Sequence, residues 1–143
     1  MFKYSKKSLN ILNKVDNRLR IIFYELIKIT KIDVGITYGI RTLEEQQAIF
    51  NNGKSQCDGV KNVSKHQIGQ AVDFVCYKDN KYTTDIKYYY YVVGLIEKIA
   101  LDLDIKIQSG IWWTFEDGGH VELVEGDRKW IKKNILKKII LIN

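Results

Sequence analysis

No proline occurs anywhere in the 143 residues, and cysteine and histidine appear only twice each. With no Pro- or Gly-rich stretch and no internal repeat, nothing marks a linker. Residues 1–143 therefore read as one domain, long enough to enclose a hydrophobic core. The two cysteines, Cys57 and Cys76, form no C-x-x-C pair, which argues against a thiolate zinc site. They read as free thiols of a protein made in the cytosol, with Cys76 a small buried strand residue, and a single disulfide is left open. No apolar run is long enough to span a bilayer. The opening MFKYSKKSLNILNKV has basic side chains but neither an uninterrupted apolar segment nor a small-residue cleavage site, so no signal peptide is expected. Negative charge is the minority sign: 17 Asp and Glu face 23 Lys and Arg, for a net charge of +6. That excess suits an anionic partner or simply a soluble basic surface. No nucleic-acid motif accompanies the lysines, so no nucleic-acid partner is expected.

What is present is a chain with 45% apolar residues in regular patterns. Leu9, Leu12, Val15, Leu19, Ile22, Phe23, Leu26 and Ile29 recur at helical spacing, which predicts one helix over 8–29 with Ser8 as its cap. Val34, Ile36 and Tyr38 alternate as in a strand, and Gly39 ends it. The run TLEE at 42–45 is a capping box opening a helix to about Asn52, which places Arg41 at a strand-to-helix junction from which it can be aimed into a cleft. Residues 53–69 read as a long loop and AVDFVCY at 71–77 as a strand, with Asp73 and Val75 on one face and Val72 and Phe74 on the other. KDNKYTT reads as a turn. A helix follows around Tyr89–Leu103, then short strands at 105–108 and 120–124, and a basic helix over about 127–140. The last two strands are close enough to pair antiparallel. The expected fold is a small single α+β domain, its antiparallel sheet packed against helices and carrying the candidate site between residues 39 and 123.

The chemistry concentrates around the two histidines. Taken singly, each of His66 and His120 is more often a hydrogen-bonding residue than a ligand. As a pair they differ: glycines lie close to both, and a carboxylate lies near each, Asp73 after the first and Asp117 before the second. Two imidazoles and a carboxylate form a known catalytic zinc set, which leaves one position for water and a residual positive charge to acidify it. His66, Asp73 and His120 can supply that set. A further carboxylate must then take and return a proton, and both Asp117 and Glu122 are candidates.

These residues also carry a resemblance. SKHQIGQAVDF matches the pattern Ser-x-His-x-x-Gly-x-Ala-x-Asp-Phe; FEDGGHVEL is similar to Phe-x-Asp-x-Pro-His-Phe-Glu-Leu; GIRTLEEQQAIFNNGKS is similar to an upstream Gly-Tyr-Arg-Thr-x-x-Glu-Gln segment. In this order, over roughly residues 8–125, they resemble the zinc peptidases of the D-alanyl-D-alanine carboxypeptidase group, related to the vancomycin-resistance dipeptidases. Within it they are most similar to phage endolysins that are L-alanyl-D-glutamate peptidases. The resemblance implies one catalytic zinc ion on His66, Asp73 and His120, Asp117 as general base and Arg41 as the cation beside the scissile carbonyl. It implies that Ser64 and Glu122 support the site and that Trp113 lies near the cleft. The sequence departs from the pattern at Ile40, in place of tyrosine, and at Gly119, in place of proline. The second change implies a more flexible loop around Asp117.

The implied function is hydrolysis of the L-alanyl-D-glutamate bond of bacterial peptidoglycan, leading to host-cell lysis. The enzyme would be a monomer, made in the host cytoplasm and released to the wall or periplasm through a holin. Two other functions fit the same residues: cleavage of D-alanyl-D-alanine as a carboxypeptidase or dipeptidase, and a non-catalytic zinc-containing wall-binding module. Arg41 together with Asp117 argues against the latter, since binding alone needs neither.

Overall fold

The computed structural model describes residues 1–113 and 117–125, and the basic helix expected at about 127–140 lies outside them. Within them the chain is α+β: helices α1 (Lys6–Leu12), α2 (Asn17–Ile29), α3 (Leu43–Asn51) and α4 (Ile86–Asp102) accompany strands β1 (Asp33–Tyr38), β2 (Ala71–Lys78), β3 (Lys81–Thr83), β4 (Ile107–Ser109) and β5 (His120–Leu123). Two 3₁₀ turns, Lys65–Ile68 and Gly110–Trp112, sit beside the sheet.

The expected helix over 8–29 is two helices. Its apolar stripe does run into the core through Leu12, Leu19, Ile22, Phe23 and Leu26, but the backbone breaks at 13–16. Asp16 caps α2, its carboxylate accepting the Arg18 N–H at 2.9 Å. Its own N–H donates to the Gly69 carbonyl at 2.9 Å instead of extending the first helix. Ser8 is not a cap either. Ser5 caps α1, while the buried Ser8 hydroxyl accepts the Ile36 N–H at 3.0 Å and fastens α1 to β1. The capping box at α3 forms as the sequence predicts, with Thr42 and Glu45 in reciprocal contact.

All strand pairs are antiparallel, and β2 is the hub. One edge of β2 pairs β1; the other pairs β5 over Ala71–Asp73 and β3 over Cys76–Lys78, with β4 beyond β5. Strand β3 was hidden in the KDNKYTT turn. Asp79 and Asn80 both take positive φ, 50° and 60°, the geometry of a tight two-residue hairpin. Val72, Phe74 and Cys76 turn one face of β2 into the core, where the Phe74 ring lies 6.1 Å from Phe23 and 5.8 Å from Tyr89. Val92, Val93 and Ile96 of α4 complete that layer. Both cysteines are free thiols, and Cys76 is buried in β2. Burial pushes the Cys76 thiol up to about 12. With the apolar residues of β2 on the core side, Asp73 is left on the opposite face. There β1 bulges: Ile36 faces Phe74 but Tyr38 faces Asp73, with Thr37 between. No helix among the described residues is long and apolar enough to cross a membrane.

Candidate metal centre

Asp73 and His120 are direct partners in the β2–β5 register, so the sheet itself brings them together. His120 Nδ1 lies 2.8 Å from Asp73 Oδ1. The second histidine arrives from the 3₁₀ turn at Lys65–Ile68. Ser64 caps that turn, its hydroxyl accepting the His66 N–H at 3.2 Å, and Gln67 reaches back to the Ser64 N–H at 2.8 Å. Gly69 closes it with φ +70°, a conformation that favours glycine. His66 Nε2 ends 3.2 Å from the same Asp73 oxygen. One ligand atom from each of His66, Asp73 and His120 falls within 4.8 Å of the others.

The donor set suits a zinc ion. The Gly39 carbonyl, 2.7 Å from His66 Nδ1, can only accept, so that nitrogen carries the hydrogen and Nε2 faces Asp73. On the other ring, His120 Nε2 donates to Glu122 Oε2 at 2.8 Å, which leaves Nδ1 for the centre. Each imidazole thus has its outer nitrogen held by an oxygen and its inner nitrogen aimed at one point, the usual way protein groups orient metal-binding histidines. Glu122 is itself fixed by the Gln108 side-chain amide. Burial works against the charge of Asp73, but the two imidazoles beside it, with His120 carrying a second proton on Nδ1 when no ion is bound, outweigh burial and hold the carboxyl well below its usual range. Burial likewise opposes a charged His120, yet Asp73 and Glu122 on its two sides raise it to about 9. The carboxylates of Asp73 and Glu122 therefore build a place for positive charge, where a metal ion would compete with a proton for His120 Nδ1.

Arg41 follows β1 across the cleft. Its N–H donates to the His66 carbonyl at 3.0 Å, its Nη2 stands 4.0 Å from Asp73 Oδ2 and its guanidinium lies 5.8 Å over the Tyr38 ring. Its Nε is buried without a partner among the described residues. Asp117 is exposed at the mouth of the cleft. Its N–H donates to the Gly110 carbonyl at 3.0 Å and its carbonyl accepts the His120 N–H at 3.3 Å. Although the residue as a whole is exposed, its carboxyl is raised, first because the cleft walls keep part of the water from it and then by the charge of Asp73. The Trp113 ring packs 4.9 Å from the His120 ring. His66, Asp73, His120, Arg41, Asp117, Glu122, Ser64 and Trp113 all line one cleft of about 430 Å³.

Two structural features change the reading of the loop. Gly119 stands where the similar motif has proline, but its carbonyl accepts the Phe74 N–H at 2.7 Å, so it is tied to β2. A Cβ there would lie 2.1 Å from the Phe74 carbonyl oxygen; neither alanine nor proline fits this backbone path. Gly110 plays the matching part on the other side: a Cβ would meet the Asp117 carbonyl at 2.7 Å. The sequence reading also missed Gln46. It is fully buried in α3, accepts from Arg41 Nη1 at 2.7 Å, and donates to Ser55 Oγ at 2.9 Å and the Cys57 carbonyl at 2.7 Å. Its signal was present in the Gly-Tyr-Arg-Thr-x-x-Glu-Gln segment, but only the three-dimensional path of residues 53–57 gives the side chain its partners.

Comparison with known proteins bears on the fold and the family. Among solved structures, the chain superposes on the L-Ala D-Glu endopeptidase ChiX of Serratia marcescens with a TM-score of 0.77 at 22% identity, over 85% of this chain and 90% of that one. It also superposes on the vancomycin resistance D,D-pentapeptidase VanY, solved in complex with Zn(II), with a TM-score of 0.58 at 18% identity, over 85% and 78% of the two chains. At those identities the two establish a shared fold. In sequence, it is 30% identical to the L-alanyl-D-glutamate peptidase of Escherichia phage T5, covering 86% of this chain and 98% of that protein. The sequence profile of the phage L-alanyl-D-glutamate peptidases matches residues 1–126. With most of its length accounted for in this way, the chain belongs to the phage L-alanyl-D-glutamate peptidase family.

Proposed function

We propose that this protein is a zinc-dependent endolysin that hydrolyses the L-alanyl-D-glutamate bond of the peptidoglycan stem peptide. The observation that carries the proposal is the convergence of His66, Asp73 and His120 on one point, in a cleft that Arg41 and Asp117 also line. His66 Nε2, a carboxylate oxygen of Asp73 and His120 Nδ1 would hold the ion. Zinc, when bound, supplies Lewis acidity toward the scissile carbonyl and toward a water molecule. Asp117 takes the proton of the attacking water and returns it to the leaving D-glutamate nitrogen; its raised pKa suits a group that must both accept and give up a proton. Arg41, held by Gln46, places a fixed positive charge where the carbonyl oxygen becomes negative. Glu122 is engaged with His120 and Gln108 and serves as a positioning residue, which leaves the base role to Asp117. Release to the wall from the host cytoplasm through a holin completes the reading.

Mass analysis of digested muropeptides tests this. The expected products carry a new D-glutamate amino terminus, and a chelator abolishes them. Release of D-alanine alone would reassign the bond. Asp117→Ala is expected to keep one zinc per chain while lysis falls by at least about a hundredfold. Retained lysis would move the base role to another group.

A further inference from the structure

A second cleft, of about 350 Å³, opens on the far side of Asp73 and Asp117, which line both. The two differ in chemistry. The first contains the cations Arg41 and Lys54. Among the described residues the second contains no cation, and its only charged lining residues there are the two shared aspartates. Its walls instead present tyrosine. Tyr38 and Tyr82 are 58% and 59% exposed, more surface than a tyrosine needs merely to wet its hydroxyl. Thr84, from the loop after β3, adds a hydroxyl to the same wall. Tyr38 sits at the junction of the clefts, since the β1 bulge pairs it with Asp73 and its ring lies under Arg41.

The substrate is asymmetric in the same sense. On the carbonyl side of an L-alanyl-D-glutamate bond, a single alanine separates the attacked carbon from the lactyl ether of the muramyl sugar. One extended residue spans about 3.5 Å, so the sugar must lie within about two residue lengths of the reacting carbon. Its lactyl carboxyl is consumed in the amide to alanine, so it is neutral and presents C–H edges, hydroxyls and an acetamido group. On the nitrogen side, D-glutamate carries an α-carboxylate.

We propose that the second cleft is a saccharide subsite. The muramyl sugar packs against the faces of Tyr38 and Tyr82, where its weakly positive C–H edges meet the negative face of each ring. The D-glutamate carboxylate then lies in the first cleft with Lys54. The stem peptide crosses the centre in one direction only, with its glycan end toward β3. This assignment rests on the L-alanyl-D-glutamate reading and deepens it.

The test compares the zinc-loaded enzyme on a disaccharide tetrapeptide and on the same tetrapeptide with its amino terminus acetylated in place of the glycan. The wild type is expected to favour the disaccharide substrate in kcat/KM by about tenfold or more, and each of Tyr38→Leu and Tyr82→Leu to reduce that preference by about threefold to tenfold, the usual worth of an aromatic contact. Lys54→Met is expected to erase discrimination between D-glutamate and α-amidated D-isoglutamine in the glycan-free peptide. Equal wild-type rates on the two substrates would overturn the subsite without any variant having to fold, and so would tyrosine variants that lose both substrates in equal proportion. Products cut elsewhere than after L-alanine would instead overturn the underlying bond assignment, so the two failures read differently.

Discussion

At the scale of single residues, the site depends on polar side chains that touch neither metal nor substrate. Gln46 uses its amide oxygen for Arg41 and its amide nitrogen for the 55–57 wall. Gln46→Ala leaves those partners unsatisfied in a buried place, at a cost of about 1–3 kcal/mol. The same change frees the Arg41 guanidinium to swing. We expect kcat to fall by about tenfold or more while zinc stoichiometry stays at one per chain, checked by steady-state kinetics beside metal analysis. A kcat equal to the wild type's would show that Arg41 is held without Gln46. The metal-site candidates were legible in the sequence because histidine is so scarce: two imidazoles and a nearby aspartate leave few alternatives. Gln46 was marked only by its place in the similar upstream segment, because nothing in EEQQ itself distinguishes a solvated glutamine from a buried one. Gly119 has a structural reason that the sequence alone does not give. A glycine in place of proline suggests slack, whereas close packing of the chain against Phe74 demands the missing Cβ.

Elements tell a similar story of local signals overridden by tertiary contacts. The apolar stripe of 8–29 is real and buried, yet the helix breaks because Asp16 can cap α2 and because Gly69 takes its N–H. Periodicity sees the face and not the break. Strand β3 was equally hidden, since three residues beside a hairpin turn gain their conformation from pairing with β2. The break has a structural use: it docks the α1–α2 junction against the turn that carries His66. Asp16→Ala should cost about 1 kcal/mol at neutral pH, as for a lost helix cap. Thermal unfolding should fall by about 3–5 °C. The pH dependence follows from sign. The side-chain hydrogen bond from Arg18 lowers the Asp16 carboxyl in the folded state, so its stabilisation is complete above the unfolded value near ~3.9 and disappears as pH falls through the folded one. The gap between variant and wild type should therefore close in acid, measured by melting curves from pH 7 downward. A gap that persisted unchanged there would mean that the carboxylate charge contributes nothing.

For the whole molecule, the three ligand candidates come from separate parts of the chain: a 3₁₀ turn held to residues 39–41, the central strand β2, and β5 near the end of the described sheet. An ion bound to all three would join these segments in the native state and have no equivalent site in the unfolded chain. Its binding energy then adds to folding stability. With free zinc at a hundred times its dissociation constant the gain is about 2.7 kcal/mol, which for a chain of this size raises the melting temperature by about 8–13 °C. Calorimetry of the chelated and the zinc-loaded protein measures this directly. Asp117→Ala should retain the full shift, because Asp117 lies outside the ligand cluster, whereas His120→Ala should abolish it. The two variants thereby separate metal binding from proton transfer, even though both are expected to be inactive. A wild type whose melting point ignores zinc, or a His120→Ala protein that still responds to it, would detach the ion from these three residues and with it the reason why the sheet pairs Asp73 with His120.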